Sequence, residues 1–356
     1  MQKILTWLQG RMADQQLVML LASLFIIFAL LLLLGDVLAP LLVAIALAYV
    51  FDGIIDLLNR CRIPRILAVI LVVSGALLLV LFALLTILPL LTDQVGGLIA
   101  QVPQFVVSLK ESLQTVHANY VSWVNPDYLQ QMVASAGSQI QAWSGRLLSF
   151  SIASIPGLIT LLVYAVLVPV LVFFLLKDKG DIVLWAQRFL PQERSLLQRV
   201  WSEVDIQIGN YIRGKVWESV VVGLAMWLAY EVMGHEYALL LGTLTGISVW
   251  IPFVGAAIVT IPVILLSYFQ WGWSEMMFYG MLAYTVIQLV DANIIVPWIF
   301  SEVVNLHPIA IVVAVLVFGS FWGVLGVFIA IPMAALVQSV LTIIFERKVV
   351  SDALPD

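Results

Sequence analysis

Charge is scarce in this chain. Charged residues make up 10% of its 356 positions, and 16 Lys and Arg stand against 21 Asp and Glu for a net charge of -5. Soluble domains carry about 25% charged residues. With no basic face available, a nucleic-acid partner is excluded. One cysteine, Cys61, rules out an internal disulfide and a cysteine-based metal centre, and it sits among Arg60, Arg62 and Arg65. The three histidines, His117, His235 and His307, fall in loops or amphipathic segments. Neither G-x-S-x-G nor H-E-x-x-H occurs, so no hydrolytic site, metal or cofactor is expected. No phosphate-binding loop is present either, so any energy for work comes from ion or solute gradients rather than from ATP bound by this chain. Between Val216 and Glu346 there is no lysine or arginine at all.

What is present is apolar. Hydrophobic residues account for 63% of the chain and the mean hydropathy is +1.11, which defines an all-α integral membrane protein. The first apolar run, 17–34, is too long for a signal sequence and meets Gly35-Asp36 instead of a cleavage site, so it is read as a retained span. Residues 1–91 form a three-span unit, with spans at 17–34, 37–58 and 66–91, the last closing at Pro89. From 92 to 151 polar residues increase. Leu98, Val102, Phe105, Leu109, Leu113 and Val116 keep helical spacing, and Asn125-Pro126-Asp127 opens a second amphipathic helix. This pair is either a lid over a transport path or an extramembrane hairpin against neighbouring protomers. Residues 152–176 form a fourth span, 177–215 an amphipathic linker helix that runs straight into a fifth span (216–233), and 346–356 a tail.

The segment 216–345 has a different grammar. Residues 239–266 are apolar but interrupted by Gly242, Gly246, Pro252, Gly255 and Pro262. Residues 315–336 repeat the pattern: Gly319 and Gly323 match the spacing of Gly242 and Gly246, and Gly326 with Pro332 echoes Gly255 with Pro262. Paired glycine- and proline-interrupted segments point to a transporter's binding site. The alternative is two kinked helices packed through small residues. Counting each broken stretch as one hairpin gives about eight membrane segments. Of the 16 basic residues, 14 cluster at 3–11, 60–65, 177–215 and 347–348. That places those regions, and both termini, in the cytoplasm and 92–151 outside.

Ionisable groups inside a bilayer are expensive and mark function. Asp291 and Glu302, flanking Asn293, Pro297 and close to Asn305, lie in an apolar context without a local basic partner. Desolvation favours the neutral form of such a carboxylate, so it could exchange a proton near neutral pH. Glu218 opens the fifth span within one turn of Arg213 and Lys215, and an ion pair is expected there. Glu231, Glu236 and Glu275 sit at span ends and read as solvated.

Four stretches carry a resemblance: VPVLVFFLLKDK (168–179), QIGNYIRGKVWE (207–218), WIPFVGAAIVTIPV (250–263) and LVDANIIVPWIFSEVVNLHPIAIV (289–312). They resemble the PerM-like permeases of the bacterial autoinducer-2 exporter family, over nearly the whole chain. The resemblance implies a homo-oligomeric protein of the bacterial inner membrane. It also implies movement of a small polar solute, or exchange of H+ and Na+. Its motif positions fall on Asn210, Tyr211, Gly214, Pro252, Gly255, Asp291, Asn293, Pro297, Glu302 and Pro332. The expected substrate or ion path is formed by Asp291, Asn293, Glu302, Asn305, Pro252, Gly255, Gly242, Gly246, Gly323, Gly326 and Pro332. Asn210, Tyr211, Arg213, Gly214 and Glu218 form the expected coupling helix.

Overall fold

Backbone amides that enter lipid must find their partners within the chain, and a helix does this locally. The computed structural model describes residues 15–120, 135, 155–188, 195–252, 254–300 and 307–352, and every regular element among them is helical. In order these are α1 (Gln15–Arg60), α2 (Arg65–Tyr120), α3 (Ile155–Lys177), α4 (Lys179–Gln187), α5 (Ser195–Val232), α6 (Ala238–Ser248), α7 (Val254–Trp271) and α8 (Glu275–Val290). A π-helical turn, Asp291–Ile295, leads into α9 (Val296–Phe300), and α10 (Pro308–Asp352) completes the set. Apart from Ser135, the second amphipathic helix expected after Asn125 lies outside the described residues, as do Glu302 and Asn305.

Among the described residues four stretches are long and apolar enough to cross a membrane: Val37–Arg60, Arg65–Gln101, Val254–Trp271 and Glu275–Ile299. Their side chains mostly face outward. Leu85 and Phe82 on α2 and Trp298 on α9 are exposed, a pattern that needs hydrocarbon rather than water around it. The protein is therefore a multi-pass helical membrane protein.

The breaks have local causes. Within α1 the helix is interrupted at Leu34 (φ -121°, ψ 16°), next to the Gly35-Asp36 pair. Within α10 it is interrupted at Gly323 (φ 57°, ψ -130°), a backbone state open to glycine and strained for any other residue. It divides α10 into two shorter apolar helices, Ile309–Gly323 and Gly326–Val340. Pro89, in contrast, ends nothing. The expected closure of the third span there is corrected by α2, which runs on through it to Tyr120. Proline removes one donor and frees one carbonyl, a loss that local side chains soften in membrane helices. Thr86 and Thr92 donate to the Phe82 and Pro89 carbonyls on this stretch, each within one turn.

Among the described residues two apolar cores are the largest. One joins α1, α2 and α3 through Ala44, Ile55, Ala68, Val69, Val172 and Leu176. The other joins α5 to α8 through Met226, Tyr230, Leu241, Val263, Leu266 and Tyr284. Helix α5 is the post between them, packing on α1, α6, α8, α9 and α10. It is continuous from Ser195 to Val232, as expected of an amphipathic linker that runs straight into the fifth span. Against α6 it comes very close: a Cβ on Gly246 would lie 2.7 Å from the Ser219 carbonyl, and one on Gly242 2.6 Å from the Trp227 Cβ.

Candidate functional site

Where α5 passes the end of α6 it carries three polar residues on one face, Tyr211, Lys215 and Glu218. Lys215 Nζ lies 2.9 Å from Glu218 Oε1 and 2.8 Å from Oε2, one turn along the helix. It also donates to the Val249 carbonyl at 2.9 Å. That carbonyl belongs to the C-terminal end of α6, where a helix presents partial negative charge. One ammonium thus ties α5 to the point where the next helix stops. Glu218 pairs with Lys215 and not with Arg213, whose guanidinium donates to Asn210 Oδ1 (2.9 Å) and to the Tyr49 carbonyl (3.3 Å).

Opposite stands Asp291, at the junction of α8 and the π-helical turn. Such turns are rare and gather at functional sites. Asp291 is 8% exposed and its Oδ1 is buried without a hydrogen-bond partner. Its carboxylate feels the Lys215 charge, and Glu218 feels Asp291 in turn. Between these groups lies a cavity of about 680 Å³. The α6–α7 turn closes one side with Val249, Ile251 and Pro252, and Ile311 and Ile331 of α10 close another. Gln288 and Ala256, also in its wall, are fixed from behind. Gln288 Nε2 donates to Tyr284 Oη at 2.9 Å, and Tyr284 Oη donates to the Ala256 carbonyl at 3.2 Å and meets Thr260 Oγ1 at 2.7 Å.

The expected path residues separate into two groups. Pro252 and Asp291 line the cavity, with the motif residue Pro297 and with Tyr211 and Glu218 of the expected coupling helix. The others stand elsewhere. Gly242 and Gly246 admit α5, with Gly223 as their counterpart. A Cβ on Gly255 would run into the Ser248 carbonyl, and one on Gly326 into the Phe318 carbonyl. These two glycines thus hold the α6–α7 turn and the Gly323 break closed in the same way. Gly323 is the break itself, Pro332 is buried within α10, Gly214 is buried in α5, and Asn293 is exposed with its amide bonded to the Leu289 carbonyl. The tips of the two broken segments meet where the Trp250 and Phe328 rings lie 4.5 Å apart.

Lys215 and Gln288 escaped the sequence reading as cavity residues. The signal for Lys215 was its one-turn spacing from Glu218, and for Gln288 its three-residue spacing from Asp291; nothing local tied Lys215 to Asp291. Among the described residues, no group of three or more His, Cys, Asp or Glu is placed to hold a metal ion.

A multi-pass helical membrane protein with a buried ion pair and an acidic cavity at interrupted helices has the layout of a transport protein. The sequence model of the AI-2E family transporters matches residues 17–346, and the chain belongs to that family. It is 39% identical over 344 residues to "Putative permease PerM" of Escherichia coli (strain K12), covering 96% of this chain and 97% of that one. It is 26% identical over 306 residues to "Putative transport protein YueF" of Bacillus subtilis (strain 168), covering 84% of this chain and 82% of the relative. "Putative transport protein YrrI" of the same organism is 24% identical over 300 residues, 84% of each chain.

Proposed function

We propose that this protein is a gradient-driven secondary transporter of the bacterial inner membrane, with the cavity around Asp291 as its solute site. It moves a small polar solute, or exchanges cations for protons, with H+ or Na+ as the coupling ion. The chain crosses the bilayer in eight segments, counting the α6–α7 unit and the two halves of α10 as hairpins. Both termini are cytoplasmic, and the protein works as a homo-oligomer. The observation that carries this reading is the buried, inward-facing Asp291 carboxylate on a π-helical turn. A buried charge is costly unless paired, and a structural purpose would be served by giving Oδ1 a partner, which it lacks. Membership of a transporter family supports the same reading.

Flux into proteoliposomes under an imposed pH gradient tests it, comparing the wild type with Asp291→Asn. Internal pH is followed with a trapped dye while sodium, potassium and candidate solutes are added. Proton movement coupled to one solute in the wild type and abolished in the variant is the expected outcome. Solute equilibration with a silent dye replaces the carrier by an uncoupled pore. No flux under any condition leaves a membrane scaffold as the reading.

A further inference from the structure

The chemistry of the cavity limits what it holds; this inference rests on the cavity being the solute site. Among the described residues three charges face it: Lys215 and Glu218 from α5 and Asp291 from the end of α8. Tyr211 from α5, Ser248 and the Val249 carbonyl from the end of α6, and Gln288 from α8 complete its polar groups. The lining residues from α7, α9 and α10 are uncharged. One positive and two negative charges leave the empty cavity one unit negative. Its single ammonium is engaged by both Glu218 oxygens and by the Val249 carbonyl. An incoming anion would therefore face Asp291 with no uncommitted cation to receive it.

The remaining candidates are a neutral hydroxyl compound, an inorganic cation and an organic one. Hard inorganic cations ask for six or more oxygen ligands, and among the described residues no cluster of three or more His, Cys, Asp or Glu stands ready. The volume of about 680 Å³ lies within the range of about 300–1,000 Å³ typical of organic-ligand sites. Its walls at Ile251, Pro252, Ile311 and Ile331 are hydrocarbon. A partnerless acceptor at Asp291 Oδ1, nine-tenths buried, calls for a donor, and a charged donor makes the stronger bond. The site already shows how it treats an ammonium, by holding the one on Lys215 between a carboxylate and a carbonyl.

We propose that this cavity binds a small amphipathic organic cation, its ammonium N–H donating to Asp291 Oδ1 and its hydrocarbon body lying on the aliphatic wall formed by the α6–α7 turn and α10. Lys215 sets the sign of the site: its ammonium is bonded to Glu218 and to the Val249 carbonyl, and Asp291 Oδ1 is left for the ligand.

Three ligands of one shape and different charge decide it: benzylammonium, benzyl alcohol and benzoate, titrated calorimetrically at pH 7 into the full-length protein in detergent. Benzylammonium binds at least about tenfold more tightly than benzyl alcohol, following the advantage of a charged over a neutral hydrogen bond, and benzoate does not bind. Asp291→Asn, which keeps the shape, removes the preference for the ammonium and leaves alcohol binding in place. Equal or tighter binding of benzoate overturns the proposal, as does binding of none of the three. A wild-type preference for the alcohol, or an ammonium preference untouched by Asp291→Asn, overturns it too. The wild-type comparison stands even if the variant does not fold. Failure of transport is separable: ammonium binding without flux in proteoliposomes defeats the carrier and keeps the site, whereas flux of another solute without ammonium binding does the reverse.

Discussion

The three buried charges do not have equal weight. Removing Glu218 leaves Lys215 within electrostatic reach of a second carboxylate, Asp291, which can take over part of the pairing. Removing Lys215 leaves two buried carboxylates facing one another. Losing one partner of a buried pair costs about 3–5 kcal/mol. Lys215→Met is therefore expected to lower the thermal unfolding midpoint in detergent more than Glu218→Gln, and equal losses would show that Asp291 does not share the ammonium. A second residue-scale prediction concerns His235, in the loop after α5. Burial holds its imidazole down at about 4, and its Nδ1 accepts from the Tyr237 amide at 3.0 Å. The unfolded chain takes up this proton near 6.5 and the folded one only near 4. The stabilisation is thus complete above pH 6.5 and disappears as pH falls to about 4, amounting to about 3 kcal/mol. The Trp271 ring stands edge-on 4.9 Å from the imidazole. Subtracting the fluorescence–pH curve of His235→Gln from that of the wild type should leave a step near pH 4, and a step at 6.5 would mean the imidazole is solvated.

Helices were legible in the sequence wherever their cause was local. Glycine beside an aspartate marked the interruption next to Gly35-Asp36, and the apolar spacing of Val200, Val204 and Tyr211 in the linker marked the continuity of α5. Pro89 misled, because helix propensity is a weak prior that tertiary context overrides and α2 continues past it. Asp291 was legible as an acid without a neighbouring base. Its relation to Lys215 was not, since sequence spacing reveals partners only within a turn or two, and these residues meet through the packing of α5 on the π-helical turn. The glycines were seen as breaks, but what they admit could not be read. Gly246 takes the α5 backbone, and Gly255 and Gly326 take carbonyls of their own hairpins. Alanine at any of the three has to push backbone apart. Gly246→Ala, Gly255→Ala and Gly326→Ala are each expected to cost about 1–3 kcal/mol, the range for overpacking. Nothing lies within 4 Å of a Cβ on Gly75 in α2, so Gly75→Ala should gain up to about 1 kcal/mol from propensity. Unfolding midpoints of the four variants check the contrast, and a loss at Gly75 to match the others would refute it.

At the scale of the whole molecule, the proposed orientation can be tested at the turn between α1 and α2. The turn between α1 and α2 carries Arg60, Arg62 and Arg65, with Arg62 in the left-handed region (φ 66°). Around it the charges are interlocked: Asp52 pairs with Lys179 at 2.8 Å and with Arg65 at 3.6 Å, while Tyr49 donates to Asp205 at 2.5 Å. These contacts bring α1, α4 and α5 together in one polar layer at the end of the bundle that bears the basic residues. Basic loops stay on the cytoplasmic side, so this layer, both termini and the first turns of α5 are expected there. The single cysteine of the chain lies in the same turn, and Cys61 is exposed. It serves as a native reporter without any substitution. A membrane-impermeant maleimide should label Cys61 in inside-out vesicles and leave it unlabelled in intact spheroplasts. The opposite pattern would invert every element together, because no helix can be turned over alone while α5 packs on α1, α6, α8 and α10.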